Sequence, residues 1–380
     1  MTLRTDASVK PLELFFDLVF VLALTQSTQL MANDPSWEGL VRGLLVLGVL
    51  WWSWVGYSWL TSVVDPEEGL VRFAIFGAMA ALLVVSLCVP EAFGDLGLLF
   101  ACAYFLVRIG QIILFHAASR GDPKLRRSVA GLAVSTLIGT SILIVASFTD
   151  GLVQGGLWAL ALALDVGGPY LFGSEGWKLA PRHFVERHGL IIIIALGESI
   201  VAIGAGVEGE VDAGVVAAAA LGVGVAAALW WLYFDIVALV AERRLTNAKP
   251  GREQNEIARD SFSYLHFPMV AGIVLVALGL KKTLGHVEEP LSVEVATAIL
   301  GGTAIYLLAH LAFRWRNVHR FNMARLICAA VLVVLIPLAT EIASLATLAI
   351  VLGLLAALIA YETVHFADLR DRLRHQVAAE

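Results

Sequence analysis

The feature that most constrains this chain is a succession of apolar runs, each about long enough to cross a lipid bilayer. A helix needs roughly 20 apolar residues for that crossing, and its backbone groups must then bond within the helix itself. Twelve such runs are read along the 380 residues. They lie at about 11–32, 37–62, 69–90, 97–118, 126–148, 151–172, 187–207, 213–241, 261–281, 292–313, 321–340 and 343–365. The chain is 59% hydrophobic and 15% charged, with mean hydropathy +0.82, whereas a soluble domain runs about 45–50% and about 25%. A disordered chain, a basic-patch nucleic-acid binder and an ordinary soluble enzyme are excluded. The longest polar stretch, 242–260, is too short for a soluble domain. Function must reside in the membrane bundle or at its faces.

Topology follows from the cations. With the N-terminus in the cytoplasm, all of the 26 Lys and Arg except Arg42, Lys281, Lys282 and Arg108 fall in inward loops or tails. The outer loops, read as NDPS, EAFGD, TDG and EGEVD, are acidic or neutral. This bias places both termini in the cytoplasm and supports an even number of crossings. The first run lacks a small-residue cleavage site and is expected to be an uncleaved anchor.

The chain divides near residue 180 into halves 1–180 and 181–380, and the halves echo one another. LFFDLVFVLALTQS (14–27) aligns without gaps on ERHGLIIIIALGES (186–199), pairing Leu18 with Leu190, Ala23 with Ala195, Leu24 with Leu196 and Ser27 with Ser199. Trp51-Trp52 and Trp230-Trp231 then fall in the second run of each half. The expected fold is an all-α polytopic membrane protein of about twelve transmembrane helices in two parallel six-helix repeats, as in some transporters.

Ionisable residues inside a bilayer are costly, which makes them the first functional candidates. Glu198, flanked by Gly197 and Ser199, lies near the midplane of the seventh run, and Arg108 near that of the fourth. A nearby cation would hold a buried carboxylate ionised, so these two form a natural pair. Glu13 and Asp17 are four apart, hence on one helical face. Gln26 takes the place of Glu198 in the internal alignment. Asp165 precedes Gly167-Gly168-Pro169, which should weaken, break or end its helix. Asp235 follows LWWLYF, an aromatic stretch suited to the headgroup zone. His266 and His310 lie near cytoplasmic ends, where both charge states are accessible.

Enzyme motifs are missing: no HExxH, GxSxG or Walker loop is present. Cys88, Cys102 and Cys328 are scattered through apolar runs, so neither a disulfide framework nor a metal spacing follows. No cofactor or metal is implied. The basic loop RWRNVHR (314–320) suits an anionic-lipid contact at the cytoplasmic face. Gly214, Ala218, Gly222 and Ala226 recur every four residues, a strip that admits close helix packing inside the bundle or against a second protomer, which would make a homodimer.

ELFFDLVFVLALTQ, ERHGLIIIIALGESIVAIG and SYLHFPMVAGIVLVALGLKK together resemble the bacterial low temperature requirement protein A family, over about residues 8–365. The resemblance implies a multi-pass protein of the bacterial inner membrane linked to growth in the cold, and it supplies no established activity. Glu13, Phe16, Asp17, Glu186, Gly197, Glu198, Ser199, His266 and Pro268 match the family's motif positions. His188 departs from the aromatic residue often found there.

The leading reading is a secondary transporter, or an ion- or proton-conducting protein. In it Glu198 is the coupling carboxyl, Arg108 sets its charge state and Asp17 guards cytoplasmic access. The alternatives are a membrane-embedded enzyme acting on lipid, using carboxylates and histidines at one depth, and a sensor or scaffold whose polar residues fix helix packing.

Overall fold

A computed structural model describes residues 8–171, 176–207, 209–235 and 237–367. The terminal cations Arg4, Arg370, Arg372 and Arg374, counted above, lie outside them. The described chain is helical. Helices α1 (Pro11–Asn33), α2 (Trp37–Val63), α3 (Gly69–Cys88), α4 (Gly97–Ala118), α5 (Pro123–Ala146) and α6 (Gly151–Leu171) follow the first six runs. Then come α7 (Pro181–Gly206), α8 (Ala213–Phe234), α9 (Val237–Thr246) and α10 (Arg252–Ile257). A π-helical segment, Ala258–Tyr264, leads into α11 (His266–Gly285). The one-turn α12 (Val293–Ala296) and a second π segment, Thr297–Gly301, precede α13 (Gly302–Val318). The chain continues through α14 (Met323–Val334), α15 (Ile336–Ala339) and α16 (Ser344–His365).

Local chemistry fixes where these helices begin. Pro11 opens α1, and the Glu13 carboxylate accepts the Lys10 N–H at 2.8 Å, satisfying a donor that a helix start leaves free. Ser36 caps α2, Asp122 caps α5 ahead of Pro123, and Asn322 caps α14. Large apolar side chains such as Leu70, Phe73, Leu152 and Val334 stand outward, while Arg108 and Arg187 are fully buried. Apolar residues outside and paired charges inside suit a protein whose solvent is lipid.

Eleven helical stretches among the described residues are long and apolar enough to cross a membrane. Residues 321–340, expected as a further span, instead form α14 and the short α15. Pro337 cannot donate to the preceding turn and biases the residue before it away from helix, so the run divides at Leu335. The GGP sequence also differs from expectation. α6 continues through Pro169 to Leu171. Because Pro169 has no N–H, the carbonyl of Asp165 four residues earlier loses its usual helical donor.

The chain forms two compact units, Met1–His188 with Thr246–Ser263, and Gly189–Leu245 with Tyr264–Glu380. In the first unit α1 packs on α2 and α3, and α4, α5 and α6 pack in sequence order. α2 is its most buried helix and carries Trp51, Trp52, Trp54 and Tyr57 inward. The indole of Trp51 donates to the Ser263 carbonyl at 2.8 Å, and that of Trp59 to the Ser263 hydroxyl at 2.9 Å. A π-helical turn shifts the backbone ladder, and Ser263 lies within such a turn. In the second unit α11 packs on α13, α14 on α13 and α16, and α8 on α16. The small strip of α8 faces this unit: a Cβ on Gly222 would meet Ile203 at 2.8 Å and Leu280 at 3.1 Å.

Candidate functional site

The first turns of α1 and α7 bring together side chains from opposite ends of the first unit's sequence. Asp17 Oδ1 accepts from Trp54 Nε1 at 2.9 Å and from the Arg187 guanidinium at 2.7 Å. Arg187 also reaches Glu13 Oε1 at 3.2 Å. His183 Nε2 lies 2.7 Å from that same oxygen, and its Nδ1 lies 3.0 Å from the Ser62 hydroxyl. The Arg187 guanidinium sits over the Trp54 ring, 5.6 Å from its centroid. Glu13, Asp17, His183 and Arg187 are each at most 1% exposed. A cavity of about 10 Å³ touches Glu13, Thr61 and Arg187, about the room that one water needs.

Counted over Glu13, Asp17, His183 and Arg187 alone, the charges do not balance. Two carboxylates face one guanidinium, so with His183 neutral these four side chains carry one negative charge in excess. Buried charge is tolerated only when paired and hydrogen-bonded. Asp17 Oδ2 is buried and has no hydrogen-bond partner among the described residues. One added proton, on Asp17 or His183, would neutralise the cluster. This is a group of acids and bases suited to holding and releasing a proton.

A second centre in the same unit joins α4, α5 and α6. Arg108 bonds Asp165 at 2.9 Å, Thr136 at 2.9 Å, Gln111 at 3.0 Å and the Trp52 carbonyl at 3.1 Å. Thr136 also donates to Asp165 at 3.0 Å. The carboxylate that Arg108 holds within its own unit is therefore Asp165. Gly139 allows α5 and α6 to approach here, since its Cβ would lie 3.0 Å from the Ala161 carbonyl. Arg108 and Gln111 also border a cavity of about 60 Å³ that reaches Gly168, Pro169, Arg259 and Ser263. With one charge of each sign this centre is balanced, although Arg108 Nε has no acceptor among the described residues.

The second unit has its own ionic centre. Arg325, in the first turn of α14, binds Glu362 near the end of α16 through two bonds of 2.8 Å, and Asn322 donates to the same carboxylate. Arg325 also donates to His310 Nδ1 at 2.6 Å and to the Leu232 carbonyl. His266 is fully buried and meets the Tyr233 hydroxyl at 2.8 Å. Asp235 ends α8, is half-buried and lines a cavity beside this centre. Glu198 is 1% exposed and Ser199 fully buried on α7, whereas Gln26 on α1 is half-buried. Beside Gly197 there is open space, so no close backbone approach explains that glycine.

Sequence reasoning found Glu13, Asp17, Arg108 and Asp165 but missed the residues that complete their centres. The cation count places Arg187 among the inward-facing loop residues, and no motif singles out His183. Arg325 likewise reads as a loop cation, and Glu362 lies in the last turn of its apolar run with no motif around it. The available signal was an acid or base within a helical turn of an apolar run. His188 stands in for an aromatic: it packs against Phe184, Trp54 and Phe262 at ring distances of 4.4, 5.0 and 5.3 Å.

Comparison with known proteins adds a family. Residues 8–360 match the model of the bacterial low temperature requirement A protein (LtrA). An uncharacterized protein of Rhizobium meliloti (strain 1021) is 31% identical over 310 residues, covering 78% of this chain and 74% of that one. No solved structure matches the chain.

Proposed function

The chain belongs to the bacterial low temperature requirement A family, and on that premise we propose that it is a secondary transporter or channel for protons or other cations, with Asp17 as a protonation site. The observation that carries this reading is the buried, unpartnered Asp17 Oδ2 in a cluster one proton short of neutrality. Arg187 holds Asp17 and Glu13 in place, and the Ser62–His183–Glu13 chain of hydrogen bonds brings a second titratable base to the same cluster. Glu198 is the second unit's coupling carboxyl, a role supported by its complete burial in an apolar helix. Arg108 and Asp165 form a fixed ion pair that braces α4 against α6. In this reading α14 and α15 together complete a twelfth crossing, and the halves form a parallel repeat with both termini in the cytoplasm. The repeat is supported by Ala23 and Ala195, Leu24 and Leu196, and Ser27 and Ser199, which are buried in both copies. Against it, Trp51 and Trp52 are buried while Trp230 and Trp231 are exposed.

Infrared spectra of the purified protein, recorded across a pH titration, test the protonation site. A protonated-carboxyl band should appear on acidification and be lost from Asp17→Asn. That variant should fold, because an amide oxygen still accepts from Trp54 and Arg187. An unchanged band in a folded Asp17→Asn would remove Asp17 from the account.

The lipid-enzyme reading rests on one observation, the Ser62–His183–Glu13 order of nucleophile, base and acid. Ser62 is only 4% exposed, so a substrate would need an opening of the helices to reach it. Labelling of Ser62 by a lipid phosphonate would favour that reading.

A further inference from the structure

The second unit contains a cavity of about 250 Å³ at one end of its helices. Its walls come from the last turns of α8, α13 and α16, the first turn of α14, and α9. Most of the lining is apolar, including Trp231, Val240, Phe313 and Val318. α9 itself is a short amphipathic helix, VALVAERRLT, with paired arginines near its end, the pattern of a segment lying in a membrane interface.

Three arginines line this apolar space: Arg314, Arg320 and Arg325. Glu362 holds Arg325 through the two-bonded pair, and with Asp235 the only other acid in the lining, the three arginines leave one positive charge in excess. Arg314 is half-buried with its guanidinium over the Phe366 ring, 5.5 Å from the centroid. No ion pair of Arg314 or Arg320 occurs among the described residues. His310 adds a directed donor. Because a guanidinium only donates, Arg325 bonding to His310 Nδ1 requires that nitrogen to accept, which puts the neutral ring's hydrogen on Nε2. His310 is 1% exposed, lines the cavity, and its Nε2 has no acceptor among the described residues.

We propose that this cavity is a binding site for an anionic phospholipid, with the phosphate against Arg314 and Arg320 and an acyl chain along the apolar wall formed by Trp231, Val240 and Val318. Phosphate oxygens accept from arginine in charge-assisted, frequently paired bonds. A soluble anion would use the cations and leave the apolar wall without a role, whereas a phospholipid uses both. The site is independent of the proton reading and of Asp17.

The test uses the full chain in detergent, titrated with phosphatidylglycerol, phosphatidylcholine or inorganic phosphate, with bound lipid counted by native mass spectrometry and thermal stability followed in parallel. Phosphatidylglycerol should bind and raise the melting temperature more than phosphatidylcholine. The double variant Arg314→Gln/Arg320→Gln should lower phosphatidylglycerol affinity by about tenfold or more, given roughly 1 kcal/mol for each cation near an anionic headgroup. Its melting temperature in phosphatidylcholine should stay close to wild type, since neither arginine bonds to Glu362 and the attraction of Arg314 to Glu362 is opposed by its repulsion from Arg325. Equal responses to the two lipids would mean that the arginines serve only the helix ends, and would overturn the proposal. So would double-variant affinity within about twofold of wild type, or inorganic phosphate alone reproducing the stabilisation.

Discussion

At the scale of single residues, Arg187 is the side chain on which the first unit's acidic cluster depends. Removing it leaves Glu13 and Asp17 as uncompensated neighbours in a buried site. Arg187→Met should therefore destabilise the protein by roughly 3–5 kcal/mol, read as a lowered unfolding midpoint in detergent. Adding Glu13→Gln and Asp17→Asn to that variant should recover most of the loss, because the buried charges go together. If Arg187→Met melts like wild type, the ion pairs are not holding this region. The acids themselves were legible in the sequence, since Glu13 and Asp17 share a helical face. Their partners were not, because His183 and Arg187 lie 170 residues further along the chain. Depth alone also did not point Arg108 to Asp165, which the packing of α4, α5 and α6 brings to it.

At the scale of elements, most of the apolar runs became helices near their expected places, since length and hydropathy dominate in a membrane. The exceptions have local causes. Pro337 divides the run at 321–340, while Pro169 is absorbed within α6 at the expense of one carbonyl's helical bond. The π turn at 258–264 left no periodicity to read, yet it contains the serine that receives Trp51 and Trp59. Packing between α11 and α13 in the second unit makes a quantitative prediction. A Cβ on Gly272 would meet the Gly302 carbonyl oxygen at 2.6 Å and the Tyr306 backbone nitrogen at 3.0 Å, and backbone cannot rotate aside. Gly272→Ala should cost about 1–3 kcal/mol from overpacking. Gly353→Ala on α16, with nothing within 4 Å of the added atom, should be neutral or gain up to about 1 kcal/mol from helix propensity. Equal unfolding midpoints for the two variants would contradict the α11–α13 contact.

At the scale of the whole molecule, the distribution of Lys and Arg predicts that the 242–260 stretch faces the cytoplasm. In a variant with Cys88, Cys102 and Cys328 replaced, a cysteine at Asn247 should resist an impermeant thiol reagent in intact cells and react once the cells are opened. Labelling from outside would reverse the orientation. The central claim is that the chain moves protons or cations by way of Asp17, and flux through reconstituted vesicles tests it most directly. Vesicles containing wild-type protein and an entrapped pH indicator should change internal pH under an imposed potential, or do so when a particular cation is supplied. Vesicles with equal amounts of folded Asp17→Asn should lose that flux by at least about tenfold, the equivalent of roughly 1.4 kcal/mol on the barrier. No wild-type flux with protons or any cation of the panel, or undiminished flux through Asp17→Asn, would contradict the account.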